Sequence, residues 1–142
     1  MDMSGFFRLC RRLPLLLSLV VIAACATDRS AFPAADERTV VVATEYDQLG
    51  WQGVIAVTFE RDAIVNVVYE EFDRRGNAKS RDQGYAAMMV PVVGIAPAQA
   101  FAALARALVE LQDPAAVDAV TGATQSSRWF VSLAQQAAEQ RP

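Results

Sequence analysis

The sequence contains no histidine, and its only two cysteines, Cys10 and Cys25, fall within the first 25 residues. The absence of His removes the commonest general base and the commonest metal ligand. After residue 25 there is no thiol, which excludes a disulfide, a zinc–thiolate site or a cysteine nucleophile in any domain built there. A metal site is therefore not expected, and redox chemistry would have to come from a bound cofactor. Lysine is almost absent as well: Lys79 is the only one, and the other basic residues are Arg. Net charge is −3; setting aside the leader, which holds Asp2, Arg8, Arg11 and Arg12, leaves 10 basic against 15 acidic residues, or −5. That balance gives no support to nucleic-acid binding. The length of 142 residues suits one domain, and no internal repeat is evident.

The apolar content is concentrated at the N-terminus. Arg8, Arg11 and Arg12 precede an apolar run from Leu13 to Ala24. Twelve residues rise about 18 Å as a helix, short of a ~30 Å bilayer core, so the run reads as the h-region of an export signal. Its end, Ile22-Ala23-Ala24-Cys25, resembles a bacterial lipobox. That resemblance implies cleavage after residue 24 and a diacylglycerol on the Cys25 sulfur, with further acylation strengthening the anchor. An ordinary secretory peptide with a chance Cys, or an uncleaved anchor, fits the same residues. Ala26 rather than Asp after the Cys does not signal inner-membrane retention, by analogy with Gram-negative lipoproteins. Residues 26–37, rich in Ala, Ser, Asp and Pro, read as a tether or as an ordered first loop.

From residue 38 the pattern becomes that of a folded domain. Residues 38–45 are short and β-branched, a strand signal. After a loop at Tyr46–Gly50, residues Val54 to Glu60 alternate, with Ile55, Val57 and Phe59 on one face. A polar turn, Glu60-Arg61-Asp62-Ala63, leads to a second alternating run from Ile64 to Phe72. There Val65, Val67 and Tyr69 share one face and Ile64, Val68 and Phe72 the other. The short link predicts an antiparallel hairpin. Glu70 and Glu71 point to opposite faces and so form no paired-carboxylate site; with Asp73 they read as a solvated strand end. Residues 82–93 suit a two-turn helix stopped by Pro91 or Gly94, with Met88 and Met89 as core filler. Pro97 opens a longer helix to Gln112, whose Phe101, Leu104, Leu108 and Leu111 should face the sheet. Val117–Val120 reads as a short extended piece, and Ser126 or Ser127 as the cap of a last helix burying Phe130, Leu133, Ala134 and Ala137.

Between the last two helical patterns lies Asp118-Ala119-Val120-Thr121-Gly122-Ala123-Thr124. Its small residues expose the backbone and leave room for a large partner to approach. Thr124 stands near a helix start, where unpaired N–H groups and the dipole favour a phosphate. On the residues alone, a plain helix-entry turn with Thr124 or Ser126 as N-cap and Asp118 as a loop acid also fits. The stretch resembles the Asp-x-x-(Ser/Thr)-Gly-Ala-Thr signature of the FMN-binding domain family. Five such fixed positions arise by chance in roughly one chain of this length in several thousand. Gly50-Trp51-Gln52-Gly53, the hairpin, the acidic-aromatic strand end and Asn77-Ala78-Lys79-Ser80 are similar to a small lipoprotein branch of the same family. The resemblance then covers nearly all of residues 46–136. The chain departs from the family at the hairpin, where Asp62-Ala63 replaces the common Asp-Gly, and in its opening before Tyr46.

The resemblance implies that Thr124 carries FMN through a phosphoester, made by a flavin transferase that splits FAD and releases AMP. Thr121, Gly122 and Ala123 would give the transferase a small, exposed approach. Asp118 would orient the transferase's metal or brace the loop. Backbone donors of Gln125, Ser126 and Ser127 would receive the phosphate if the helix begins there. Tyr46, Trp51, Tyr85 and Trp129 are candidates to stack on the isoalloxazine ring, and core or rim packing fits each of them as well.

These readings combine into one expectation. Residues 1–24 form a lipoprotein signal peptide, 25–37 the lipidated Cys and tether, and 38–142 an α+β FMN-binding domain, a twisted antiparallel sheet with helices packed on one side. The protein would be an exported, lipid-anchored electron carrier facing the periplasm, on the outer membrane in a Gram-negative cell, with no catalytic residues of its own. Its partners would be a flavin transferase, membrane lipid through Cys25, and redox proteins. A flavin-dependent reductase with a small substrate and a cofactor-free envelope lipoprotein are the alternatives.

Overall fold

Val40 and Val42 in β1 (Glu37–Ala43), Ile55, Val57 and Phe59 in β2 (Trp51–Glu60) and Val67 and Tyr69 in β3 (Ala63–Asp73) lie on the inner side of an antiparallel sheet of order β1-β2-β3. The chain is described by a computed structural model over residues 37–141. The expected leader (1–24), the Cys25 lipidation site and the tether to residue 36 lie outside the described residues. Register brings the inner residues into line: Val40 pairs with Val57, Val42 with Ile55, Val57 with Val67, and Ile55 with Tyr69. These cross-strand pairs form a continuous apolar floor.

One irregularity changes the alternation. Thr58 pairs with Asn66 but Phe59 pairs with Ile64, so β3 carries an extra residue at Val65. The bulge resets the period of two, placing Ile64 inside with Val67 and Tyr69 and leaving Val65 42 % exposed. Strict alternation had grouped Val65 with Val67 and Tyr69 and set Ile64 opposite, because the alternation rule has no way to register an inserted residue. The hairpin turn does depart from an Asp-Gly form: the left-handed position falls on Arg61, at φ 55°.

Two helices cover the inner face. Helix α1 (Gln83–Val93) comes first but buries no residue; α2 (Pro97–Leu111) packs on β3, and α3 (Thr124–Glu139) packs on β2 and β1. Pro97 opens α2, whose Ala100, Phe101, Leu104 and Leu108 form the buried stripe. Leu111, expected on that stripe, is 49 % exposed, because the helix ends there and Gln112 turns left-handed at φ 59°. The Gln112 side chain instead completes the edge of β3. Its Oε1 accepts from the Ile64 N–H at 2.8 Å, and its Nε2 donates to the Ile64 carbonyl at 2.8 Å. Phe130, Leu133, Ala134 and Ala137 of α3 are buried as their spacing predicted. Tyr69 joins both helices to the sheet, meeting Phe101 and Phe130 edge-on with centroids 5.0 and 5.3 Å away. Among the described residues no helix covers the outer sheet face, and Val41 and Val68 are exposed on it. The architecture is thus the expected α+β one, with helices on one side of an antiparallel sheet.

Helix α1 stands apart from this core. Asp82 caps it, accepting from the Tyr85 N–H at 2.8 Å, and Gly94 ends it, while Pro91 is accommodated inside. Its axis meets that of α2 at 76°. Met88 is 63 % exposed and Met89 only half-buried, so neither fills the core as expected. Among the described residues no single helix is long and apolar enough to cross a membrane.

Candidate functional site

The site is built on the turn that enters α3. Val117 is buried and extended, and after Val120 the chain turns back, with the Ala123 N–H bonded to the Val120 carbonyl at 2.9 Å. Buried Ser127 locks the turn from beneath. Its Oγ accepts from the Val120 N–H at 3.0 Å and donates to the Ala123 carbonyl at 2.9 Å. Gly122 sits at φ 82°, and a Cβ there would lie 2.2 Å from the carbonyl oxygen of Val93. No side chain fits, so the small residue holds the turn against the end of α1.

Helix α3 begins at Thr124 behind an Ala123 N-cap, three or four residues before the Ser126 or Ser127 cap that the sequence suggested. Ala123 is the N-cap and supplies no side-chain acceptor, and the Ser127 N–H is already used by the Ala123 carbonyl at 2.9 Å. The N–H groups of Thr124, Gln125 and Ser126 meet no acceptor among the described residues. The open donors are therefore 124–126 rather than the expected 125–127. Thr124, Gln125 and Thr121 are exposed, and Ala123 and Ser126 half-buried. Asp118 is exposed, and its carboxylate makes no hydrogen bond or ion pair among the described residues, so nothing in the structure makes it a brace.

Beside this turn opens a small cleft of about 40 Å³. Gly122, Ala123 and Ser126 form one side; Tyr85, Met89 and Val93 of α1 form another; Ile95 from the link after α1 and Pro97, Ala100 and Phe101 of α2 close it. Lys79 reaches in from a 3-10 turn, Lys79–Arg81. Of the four aromatic candidates, Tyr85 lines the cleft, and Trp51 stands behind it, edge-on at 5.8 Å. Tyr46 lies instead under the Arg74 guanidinium at 4.9 Å, and Trp129 packs by Gly53 on β2. Phe101, read from the sequence as core, is also a cleft wall.

Of the strand-end acids Glu71 is buried and Glu70 and Asp73 are half-buried, and each is held by residues of the following turn. Asp73 accepts from the Arg75 and Asn77 N–H groups and from Asn77 Nδ2, all at 2.8 Å. These bonds, that from the Asn77 side chain foremost, hold the Asp73 carboxyl below its ordinary range. Glu70 binds the hydroxyl and N–H of Ser80. Glu71, 1 % exposed, forms an ion pair with Lys79 and accepts from the Tyr69 hydroxyl at 2.9 Å. Burial, then the adjacent Glu71 carboxylate, pushes the Tyr69 phenol far above its ordinary value, so it stays a donor. The signal for this was present in the sequence: Val67, Tyr69 and Glu71 fall in phase on the inner side of β3. Among the described residues no three His, Cys, Asp or Glu side chains converge as metal ligands.

Comparison with known proteins bears on this arrangement. Residues 50–139 match the family model of the FMN-binding domain. A curated relative, the 15 kDa lipoprotein of Treponema pallidum (strain Nichols), is 39% identical over 114 residues, covering 80% of this chain and 78% of that protein. Among solved structures, the CPE2226 protein from Clostridium perfringens superposes with a TM-score of 0.71 at 29% identity, covering 76% of this chain and 89% of that one. The family match takes in the hairpin, the Asn77–Ser80 turn, the cleft and the turn into α3, and the chain belongs to the FMN-binding domain family.

Proposed function

We propose that this FMN-binding domain holds its flavin covalently, through a phosphoester to Thr124, and acts as a lipid-anchored electron carrier of the cell envelope. The observation that carries the reading is local: an exposed Thr124 hydroxyl at a helix start, with three open backbone donors, beside an apolar cleft. The residues present fit the group. The open N–H groups of Thr124, Gln125 and Ser126 suit a phosphate, and the dipole of the 16-residue α3 adds to them. The cleft encloses only about 40 Å³, far less than the ~300–1,000 Å³ common for small-molecule sites, so it would seat one edge of the flavin rather than enclose it, and its Tyr85, Met89 and Phe101 walls suit a flat aromatic ring.

Attachment needs a flavin transferase. The Thr124 oxygen displaces AMP from the FMN phosphate of FAD; one P–O bond forms, the pyrophosphate P–O bond breaks, and the hydroxyl proton is released. Gly122 and Ala123 keep that approach clear, and Thr121 and Asp118, both exposed, stand on the surface the transferase would meet. When bound, FMN accepts two electrons and passes them singly, linking hydride donors to one-electron carriers. The chain's own contribution is retention and orientation of the ring.

The Ile22-Ala23-Ala24-Cys25 sequence and the similarity to a protein called a lipoprotein support the anchor. A covalent bond suits an exported domain, which would otherwise lose its flavin by dilution. Redox proteins of the same envelope would be its partners, and the periplasmic side, with the outer membrane in a Gram-negative cell, its place. Coexpression with a flavin transferase followed by a denaturing gel tests the bond. A fluorescent band in the wild type that disappears in Thr124→Val is expected; fluorescence that survives the change refutes the assignment. In cells fed labelled fatty acid, Cys25→Ser should abolish labelling, and unchanged labelling would refute the anchor.

A further inference from the structure

The cleft beside Thr124 has apolar and aromatic walls with one charged exception. Among the described residues Lys79 is the only ionised side chain lining it, and it is the only lysine in the sequence. Its ammonium is held by Glu71 and lies 4.6 Å from the centroid of the Trp51 ring and 5.0 Å from that of Tyr85. The side chains of Lys79 and Glu71 are 11% and 1% exposed. Such a pair gains little stability, because desolvation offsets the attraction and apolar residues of similar volume serve as well. A fixed cation in an apolar wall has a clearer use where the occupant changes charge. The oxidised flavin ring is neutral; two electrons and one proton from a reductant leave it with one negative charge.

We propose that Lys79 sets the reduction potential of the bound flavin by meeting this negative charge, with Glu71 holding the ammonium in place and attenuating its field. The proposal rests on the flavin reading above. The geometry explains why the two residues occur together. Glu71 Oε1 is occupied by the Tyr69 hydroxyl and Oε2 by Lys79, so the carboxylate is oriented from both sides. Ser80, next to Lys79, is tied to Glu70, which fixes the turn that carries the lysine. Lys79 thus reaches the cleft from a braced turn rather than from a free loop. A charge at a fixed place near the ring is the lever by which a protein tunes flavin electronics.

The test uses the full chain coexpressed with a flavin transferase, with the midpoint potential read by dithionite titration against indicator dyes. Glu71→Gln keeps the shape and removes the opposing charge, so the potential rises. Adding Lys79→Met to Glu71→Gln removes the cation without stranding a buried carboxylate, and the potential falls below that of wild type. The expected gap between the two variants is at least tenfold in the reduced-to-oxidised equilibrium, about 30 mV for a two-electron couple. Lys79→Arg, which keeps the charge, stays within roughly threefold of wild type, or about 15 mV. A purely structural pair would shift both variants the same way or neither. Equal potentials in Glu71→Gln and the double variant overturn the proposal while leaving a loaded, fluorescent protein. If the double variant does not fold, an unchanged or lowered potential in Glu71→Gln alone overturns it. A wild-type chain that takes up no flavin overturns the flavin reading and this proposal together.

Discussion

Gly122→Ala tests how the attachment turn is held. The new Cβ would stand 2.2 Å from the Val93 carbonyl oxygen and 3.2 Å from Ile95 Cγ2, at a residue whose φ is 82°. The left-handed backbone alone costs an Ala about 1–2 kcal/mol. Forcing the turn away from backbone that cannot rotate aside adds about 1–3 kcal/mol, as in other overpacked sites. The sum is about 2–5 kcal/mol, a large part of the stability of a domain of this size. With a urea m-value of about 1.5 kcal/mol/M, the unfolding midpoint falls by roughly 1–3 M. Gly76→Ala is the internal control. Gly76 has nearly the same φ, 81°, but nothing within 4 Å of its added Cβ, so only the backbone cost remains. Urea unfolding followed by Trp fluorescence measures both. Equal midpoint shifts for the two variants would refute the close seat of the turn on the end of α1.

Ser127→Ala removes the hydroxyl that joins the Val120 N–H to the Ala123 carbonyl, leaving a part-buried donor unmet; a loss of about 1–3 kcal/mol in urea unfolding is expected, and a change under half a kcal/mol would contradict that role. Asp73 gives a pH signature. Its folded pKa lies below the ordinary 3.8, so its contribution is complete above that value and lost as pH falls through the folded one. The difference in urea midpoint between wild type and Asp73→Asn should hold steady from about pH 5 to 8 and shrink below about pH 4; a difference that grows on acidification would be inconsistent with the bonds from Asn77.

Much of the domain could be read from local patterns. Ile55, Val57 and Phe59 declared the inner face of β2, and Phe101, Leu104 and Leu108 that of α2, since burial on one face imposes a period. The misreadings have physical reasons. The bulge at Val65 is a local insertion visible only in strand pairing. Leu111 obeys the helical period but lies where Gln112 ends the helix. Glu71 reads as a surface acid because charge usually means exposure, although it follows Val67 and Tyr69 in phase. Its partner Lys79 sits eight residues away across a turn, so their pairing depends on how that turn folds. The turn from Asp118 to Thr124 was recognisable as a signature, but its seat on Val93 and the true start of α3 came only with the fold.

Peptide mass spectrometry on the chain coexpressed with a flavin transferase addresses the covalent flavin most directly. A proteolytic peptide spanning Asp118 to Arg128 should carry the mass of FMN less one water, with fragment ions assigning it to Thr124. The same peptide found unmodified in a flavin-loaded protein, or modified at Thr121, Ser126 or Ser127, would contradict attachment at Thr124.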